Sequence, residues 1–263
     1  MLRTLFVLTT LARAAAFSCW LIIAAGAGVV RADEIKFLCA SALRPGIAGL
    51  VADFENSSGH KVTIAYGTVG TLTDRVRKGE AADVAIVSGP QLDELQREGK
   101  IIIGSRIDIA KVGVGIFVRP GAAKPDISSV DAFTRALLTA RSVTYRDPSG
   151  GAAAGVYMPR LLDRLGIAAA MQPKTKLIPN GGPLYDVVAS GEVEIGLQQI
   201  SEIIEAGNVE LAGPLPTAIQ NYTLFAAGIV AISTHMEAGK ALIGYLSSPA
   251  VAAVLRSRGF ELP

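Results

Sequence analysis

The chain has 263 residues, half of them hydrophobic, and carries 25 basic against 23 acidic side chains. So even a balance excludes the basic stripe of a nucleic-acid binder. Two cysteines exclude a disulfide-rich scaffold, so stability must come from burying apolar surface.

Residues 1–32 read as an export signal. Arg3 and Arg13 precede an uncharged apolar run from Ala14 to Val30, and Val30-Arg31-Ala32 offers a small-residue cleavage site before Asp33. An uncleaved membrane anchor is the alternative, because the run approaches bilayer-spanning length. Cleavage would leave 231 residues with 22 basic and 23 acidic side chains, in the periplasm. Cys39 would then be the one remaining thiol; its apolar setting, Ile35–Cys39, predicts a small buried hydrophobe.

After the signal, short β-rich runs alternate with amphipathic ones. Ile35–Ala40 predicts a strand, and Pro45–Asn56 has helical spacing at Ile47, Leu50, Val51 and Phe54. Lys61–Tyr66 predicts a second strand, and Leu72 and Val76 mark a polar helix. Asp83–Val87 predicts a buried strand, and Pro90 opens a helix with Leu92 and Leu95 inward. This alternation implies a parallel sheet with helices on both faces.

Val112, Val114, Ile116 and Val118 then recur at every second position before Arg119-Pro120-Gly121. A second α/β series follows: helix at Val130–Ala140, strand at Val143–Tyr145, helix at Ala153–Leu165, strand at Lys176–Ile178, helix at Leu184–Ala189 and strand at Val193–Leu197. Tyr222–Ile232 is again strand-like, and helices over Glu237–Leu246 and Pro249–Arg256 finish the chain. The expected class is α/β with two lobes, each a mixed or parallel sheet flanked by helices. The runs near 112–118 and 222–230 would cross between the lobes as a two-strand hinge. Lobe one would hold 33–112 plus 225–263, and lobe two 113–224; one continuous doubly wound domain is the alternative.

In open α/β sheets ligands bind outside the carboxyl ends of the strands. Four loops qualify: Ala40-Ser41-Ala42-Leu43, Gly67-Thr68-Val69-Gly70-Thr71, Asp147-Pro148-Ser149-Gly150-Gly151-Ala152 and Asn180-Gly181-Gly182-Pro183. Their small residues, hydroxyls and helix-start amides suit an oxyanion or carboxylate. Ser41 is placed to cap the helix after it. Arg44 and Arg146 flank two of the loops and could clamp a carboxylate; the alternative for each is a solvated arginine. His60 and His235 read as surface residues. No zinc-like spacing, nucleophile elbow, Walker loop or dinucleotide fingerprint is present. The expectation is a protein without catalytic activity, metal or cofactor. The rival is an enzyme on the same scaffold, for which Asp147 with Tyr145 would be the minimum acid–base pair.

At these loops the sequence resembles the periplasmic molybdate-binding proteins, within the type II extracellular solute-binding proteins. The resemblance spans nearly all of 33–263. It is carried by Ala40-Ser41-Ala42-Leu43, Tyr66–Leu72, Ala81–Ile86, Val118–Gly121, Asp147-Pro148 with Gly155-Val156-Tyr157, and Ser190–Gly196. It implies a periplasmic binding protein type II fold, a small anion between the lobes, and delivery to an ABC permease of the inner membrane, with the protein itself a monomer. Contacts are expected from Ser41, Thr68 and Thr71 on one lobe, and from Ser149, Gly150, Ala154, Gly182 and Gln199 on the other. The family's second hydroxyl would fall at Val69 or Gly70, and its tyrosine position holds Gln198-Gln199. These two changes open the ligand expectation from a molybdate-like oxyanion to an organic carboxylate.

Overall fold

The computed structural model describes residues 32–263. The export signal read at 1–32 lies outside the described residues but for Ala32. The chain begins with β1 (Glu34–Ala40), in which Ile35, Phe37 and Cys39 are fully buried, followed by α1 (Arg44–Ser58), β2 (Lys61–Gly67) and α2 (Val69–Arg77). Next come β3 (Val84–Ser88), α3 (Gly89–Arg97) and β4 (Ile107–Val112). The helices carry the chain back over the sheet, so β1 pairs in parallel with both β2 and β3.

The second series runs β5 (Val114–Val118), α4 (Val130–Thr139), β6 (Val143–Arg146), α5 (Ala153–Arg164), α6 (Ala168–Met171), β7 (Thr175–Ile178), α7 (Asp186–Ala189), β8 (Ile195–Gln199), α8 (Ile200–Ala206) and β9 (Glu210–Pro214). The chain then returns through β10 (Thr223–Ile229) and ends on α9 (Met236–Leu246) and α10 (Ala252–Ser257).

Two five-stranded sheets result, in the orders β2-β1-β3-β10-β4 and β7-β6-β8-β5-β9. They share one plan. Three parallel strands are joined by an antiparallel strand that came through the crossing: β10 runs against β3 and β4, and β5 runs against β8 and β9. Both sheets are therefore mixed, as the fold class required. Leu242, Ile243, Leu246, Leu255 and Phe260 of the terminal segment pack into the core of the first sheet.

The crossings differ in detail from the sequence expectation. The run at 112–118 is not one strand but two, broken at Gly113 and belonging to different sheets. A Cβ on Gly113 would stand 2.9 Å from the Gln220 amide carbon, so that amide fits only against glycine. Gln220 Oε1 accepts from the Val114 N–H at 2.8 Å and its Nε2 donates to the Val114 carbonyl at 3.0 Å. The outgoing break is thus held by a residue of the returning segment. That return is made before β10, which lies wholly in the first sheet. Strand β9 has no counterpart in the sequence expectation. Its glycine and proline weaken the strand signal, and Pro214 is tolerated because β9 is an edge.

Asp83 joins three elements of the first lobe. Its carboxylate accepts from the Lys36 N–H at 2.8 Å, the Ser233 hydroxyl at 2.7 Å and the His235 N–H at 3.2 Å. Burial alone would push its pKa up, but these bonds outweigh burial and hold it below the usual carboxylate value. His235 is therefore a joint in the fold, and His60 accepts from the Asp33 N–H while stacking on Phe54. Neither is the plain surface residue expected.

Candidate functional site: the cleft between the sheets

Four strand ends converge between the two sheets. β1 runs into a 3-10 turn at Ser41–Leu43, β2 into α2, and β8 into α8, while a 3-10 turn at Pro148–Gly150 leads into α5. The cavity they enclose measures about 30 Å³. It is lined by Ala40, Ser41, Ala42, Gly67, Thr68, Val69, Ala152, Ala153, Gln199, Glu202 and Phe225. The two halves touch beside it. Thr68 Oγ1 donates to the Gly150 carbonyl at 2.8 Å, and a Cβ on Gly70 would meet Gly151 Cα at 3.2 Å. Glycine at 70 is what allows that approach.

A larger hollow of about 730 Å³ opens between the Arg119–Asp126 segment and α4. It lies away from the converging strand ends and is crossed by the Arg141–Glu194 ion pair. The small cavity is the better placed for ligand chemistry in this architecture.

Of the eight residues expected from the sequence, Ser41, Thr68 and Gln199 line the cavity. Thr71 and Gly150 stand just behind it. The Thr71 N–H bonds Thr68 Oγ1 at 3.2 Å, which makes Thr68 the cap of α2, and the Gly150 carbonyl also accepts from Asn180 Nδ2 at 2.6 Å. Ser149, Ala154 and Gly182 are not part of the lining. The Ser149 N–H is committed to Asp147 Oδ1 at 2.8 Å, Ala154 is buried in the second lobe's core, and the Gly182 carbonyl accepts from Arg146 at 2.8 Å. Ser41 does not cap a helix, because its turn carries no side-chain capping bond. That leaves its hydroxyl without a local backbone duty.

The expected acid–base pair of Asp147 and Tyr145 is not assembled. The bonds from Ser149 hold the Asp147 carboxyl below its usual range, and Tyr145 is 5% exposed in the second core. The cavity instead presents a residue the sequence reading passed over. Burial pushes the Glu202 carboxyl up to about 7; Glu205 adds to the rise, and the positive charges of Arg146 and Arg44 oppose it. A glutamate in a helix's first turn ordinarily serves the helix dipole, and nothing in its neighbourhood in sequence marks it otherwise. Its rise comes chiefly from burial in the folded cavity, to which Glu205 adds, and no local motif marks that burial.

The arginines complete the charge pattern. The Arg44 guanidinium lies over the Tyr66 ring, 5.4 Å from its centroid. Arg146 Nη1 is tied to the Pro179 and Gly182 carbonyls, both at 2.8 Å. Both cations act on Glu202 and on Tyr185, whose hydroxyl is pushed up chiefly by burial. Gln199, 4% exposed, has its N–H bonded to Gln198 Oε1 at 2.9 Å while its own Nε2 lacks a partner. Among the described residues, no group of three or more His, Cys, Asp or Glu is placed to hold a metal ion.

Two mixed sheets joined by two crossings, with helix starts meeting in the gap, define the periplasmic binding protein class. Residues 35–261 match the family of bacterial extracellular solute-binding proteins, and the chain belongs to that family. It is 34% identical over 226 residues to an aconitate isomerase from a Pseudomonas species, covering 82% of this chain and 84% of that protein. It is 25% identical over 255 residues to the molybdate-binding protein ModA of Azotobacter vinelandii, covering 92% and 97%. A solved structure of the periplasmic molybdate-binding protein from Azotobacter vinelandii superposes with a TM-score of 0.72 at 20% identity, over 88% of this chain and all of that one.

The first relative corrects one expectation. A protein 34% identical over most of the chain is an enzyme, so the reading of this chain as a non-catalytic receptor does not stand. That reading came from the lack of nucleophile, metal and cofactor motifs.

Proposed function

We propose that this protein isomerises a small unsaturated polycarboxylate of the aconitate kind, held between its lobes, by moving a proton through Glu202. The observation that carries the reading is that Glu202 brings a carboxyl into a cavity walled by helix-start residues and the hydroxyls of Ser41 and Thr68, where burial pushes it up to about 7. The aconitate isomerase relative supports it. Cis and trans aconitate can be exchanged without redox chemistry or an added nucleophile by moving the double bond along a three-carbon unit. A proton leaves the methylene carbon beside one carboxylate, the double bond shifts, and a proton returns at the far end. An acid of pKa near neutrality both accepts and returns that proton readily at pH 7.

In this reading Ser41, Thr68 and the amides at Val69 and Ala153 bind one carboxylate, and Arg44 and Arg146 attract the others. Thr71 and Gly150 support this set from behind, and Ser149, Ala154 and Gly182 shape the second lobe's side. The lobes, 33–112 plus 225–263 and 113–224, touch around a cavity of about 30 Å³, so they would part to admit the substrate and close again over it because it contacts both. The protein would act in the periplasm after export.

The test is direct. Purified protein is mixed with excess cis-aconitate and the trans isomer is followed by proton NMR. Catalytic conversion supports the reading. Stoichiometric binding with no conversion, even at long times, overturns the isomerase reading. A second reading, that the protein also passes a bound small anion to an ABC permease, is supported by the family match and by the ModA relative.

A further inference from the structure

We infer that Gln199 is a catalytic residue whose side-chain amide donates to the substrate carboxylate that receives the electron pair released when Glu202 takes the proton. This rests on the isomerase reading above. Among the described residues, four buried side-chain atoms lack a hydrogen-bond partner: Tyr66 Oη, Arg106 Nε, Asp108 Oδ1 and Gln199 Nε2. Arg106 and Asp108 belong to one ion-pair cluster, in which Arg106 meets Asp93 at 3.0 Å and Asp108 at 2.8 Å. Tyr66 lies under Arg44, outside the cavity lining. Gln199 is the remaining orphan, and it is in the cavity wall.

The Gln199 backbone N–H is bonded to Gln198 Oε1 at 2.9 Å, whereas its side-chain Nε2 has no partner. With 4% exposure, Gln199 Nε2 cannot turn to bulk water. A buried N–H without an acceptor is costly, and the cavity is where an acceptor can enter. Gln199 ends β8 as the N-cap of α8, Glu202 is the third residue of that helix, and both line the cavity. A proton acceptor and a hydrogen-bond donor therefore address the same small volume.

The step balances without a co-reactant. The C–H bond beside a carboxylate breaks, its proton goes to the Glu202 carboxylate, and its electron pair spreads into the neighbouring carboxylate. The oxygens there gain charge where Gln199 Nε2 donates, so the bond strengthens in the transition state more than in the bound substrate. Glu202 then returns the proton to the other end of the three-carbon unit, the electron pair re-enters a C–H bond, and the double bond has moved.

Gln199→Met keeps length and burial but removes the donor; Gln199→Leu, with circular dichroism of both, covers the case where one variant misfolds. Two quantities are measured: kcat for cis-aconitate by NMR, and the dissociation constant of propane-1,2,3-tricarboxylate, which lacks the double bond, by calorimetry. The expected result is a kcat lower by about 10²–10³-fold with little change in the tricarboxylate dissociation constant. Loss of affinity with kcat intact makes Gln199 a binding residue and overturns this assignment while the isomerase reading stands. Wild-type protein that binds the tricarboxylate but never converts cis-aconitate overturns both.

Discussion

A carboxyl in water is almost wholly ionised at neutral pH, which makes it a poor donor for the return half of a proton transfer. Burial has moved Glu202 out of that position, up to about 7. Two consequences differ in sign. For activity, kcat/KM for aconitate rises as pH increases through about 7, because the free protein must present an ionised acceptor. For stability, the raised pKa means the folded chain holds a proton that the unfolded chain releases between about 4.5 and 7. Folding is therefore penalised as pH rises through that window, and the penalty is absent below it. Glu202→Gln should raise Tm clearly at pH 8 and hardly at pH 4, read by calorimetric scans; equal shifts at both pH values would contradict the burial argument. Ser41 and Thr68 could be placed at the cavity from the sequence because each follows a strand whose end is visible in the apolar pattern, and Gln199 came from the position where the resembled family has a tyrosine. Glu202 could not, since the burial that raises its pKa exists only in the folded cavity.

At the scale of elements, the second sheet depends on one close approach. A Cβ on Gly196 would fall 2.1 Å from the ring of Phe117, the fully buried β5 residue paired with Gly196 across the β5–β8 ladder. Gly196→Ala must push that ring aside or part the strands, and should cost about 1–3 kcal/mol in denaturant unfolding. A loss under about 0.5 kcal/mol would show that the ring has room to move. Both lobes were legible as alternating strand and helix, because buried parallel strands are written as continuous apolar runs such as Val84–Val87. Edge strand β9 was not, because Ala212-Gly213-Pro214 carries none of the β-branched or alternating signal and its pairing with β5 is fixed by tertiary contact. The division of 112–118 into two strands was hidden for a related reason. Period two continues through Gly113, and what breaks the run is Gln220, more than a hundred residues later.

At the scale of the molecule, Gln220 links the two crossings, so it belongs to the machinery that sets how the lobes stand to one another. Gln220→Leu removes both bonds to Val114 and leaves its buried N–H unpaired, while the Val114 carbonyl keeps the Leu215 N–H at 3.0 Å. Solution scattering should show a larger mean radius for the variant, with ligand affinity reduced several-fold because less of the population is closed. Unchanged scattering and affinity would remove Gln220 from the hinge. The central claim remains that one half-buried carboxyl in the cleft, Glu202, moves the proton. Its most direct test compares wild type with Glu202→Gln, using cis-aconitate at saturation and calorimetry to establish binding in both. The account predicts that both proteins bind and that the variant converts at least about 10²-fold more slowly. A Glu202→Gln protein that isomerises as fast as wild type would contradict it.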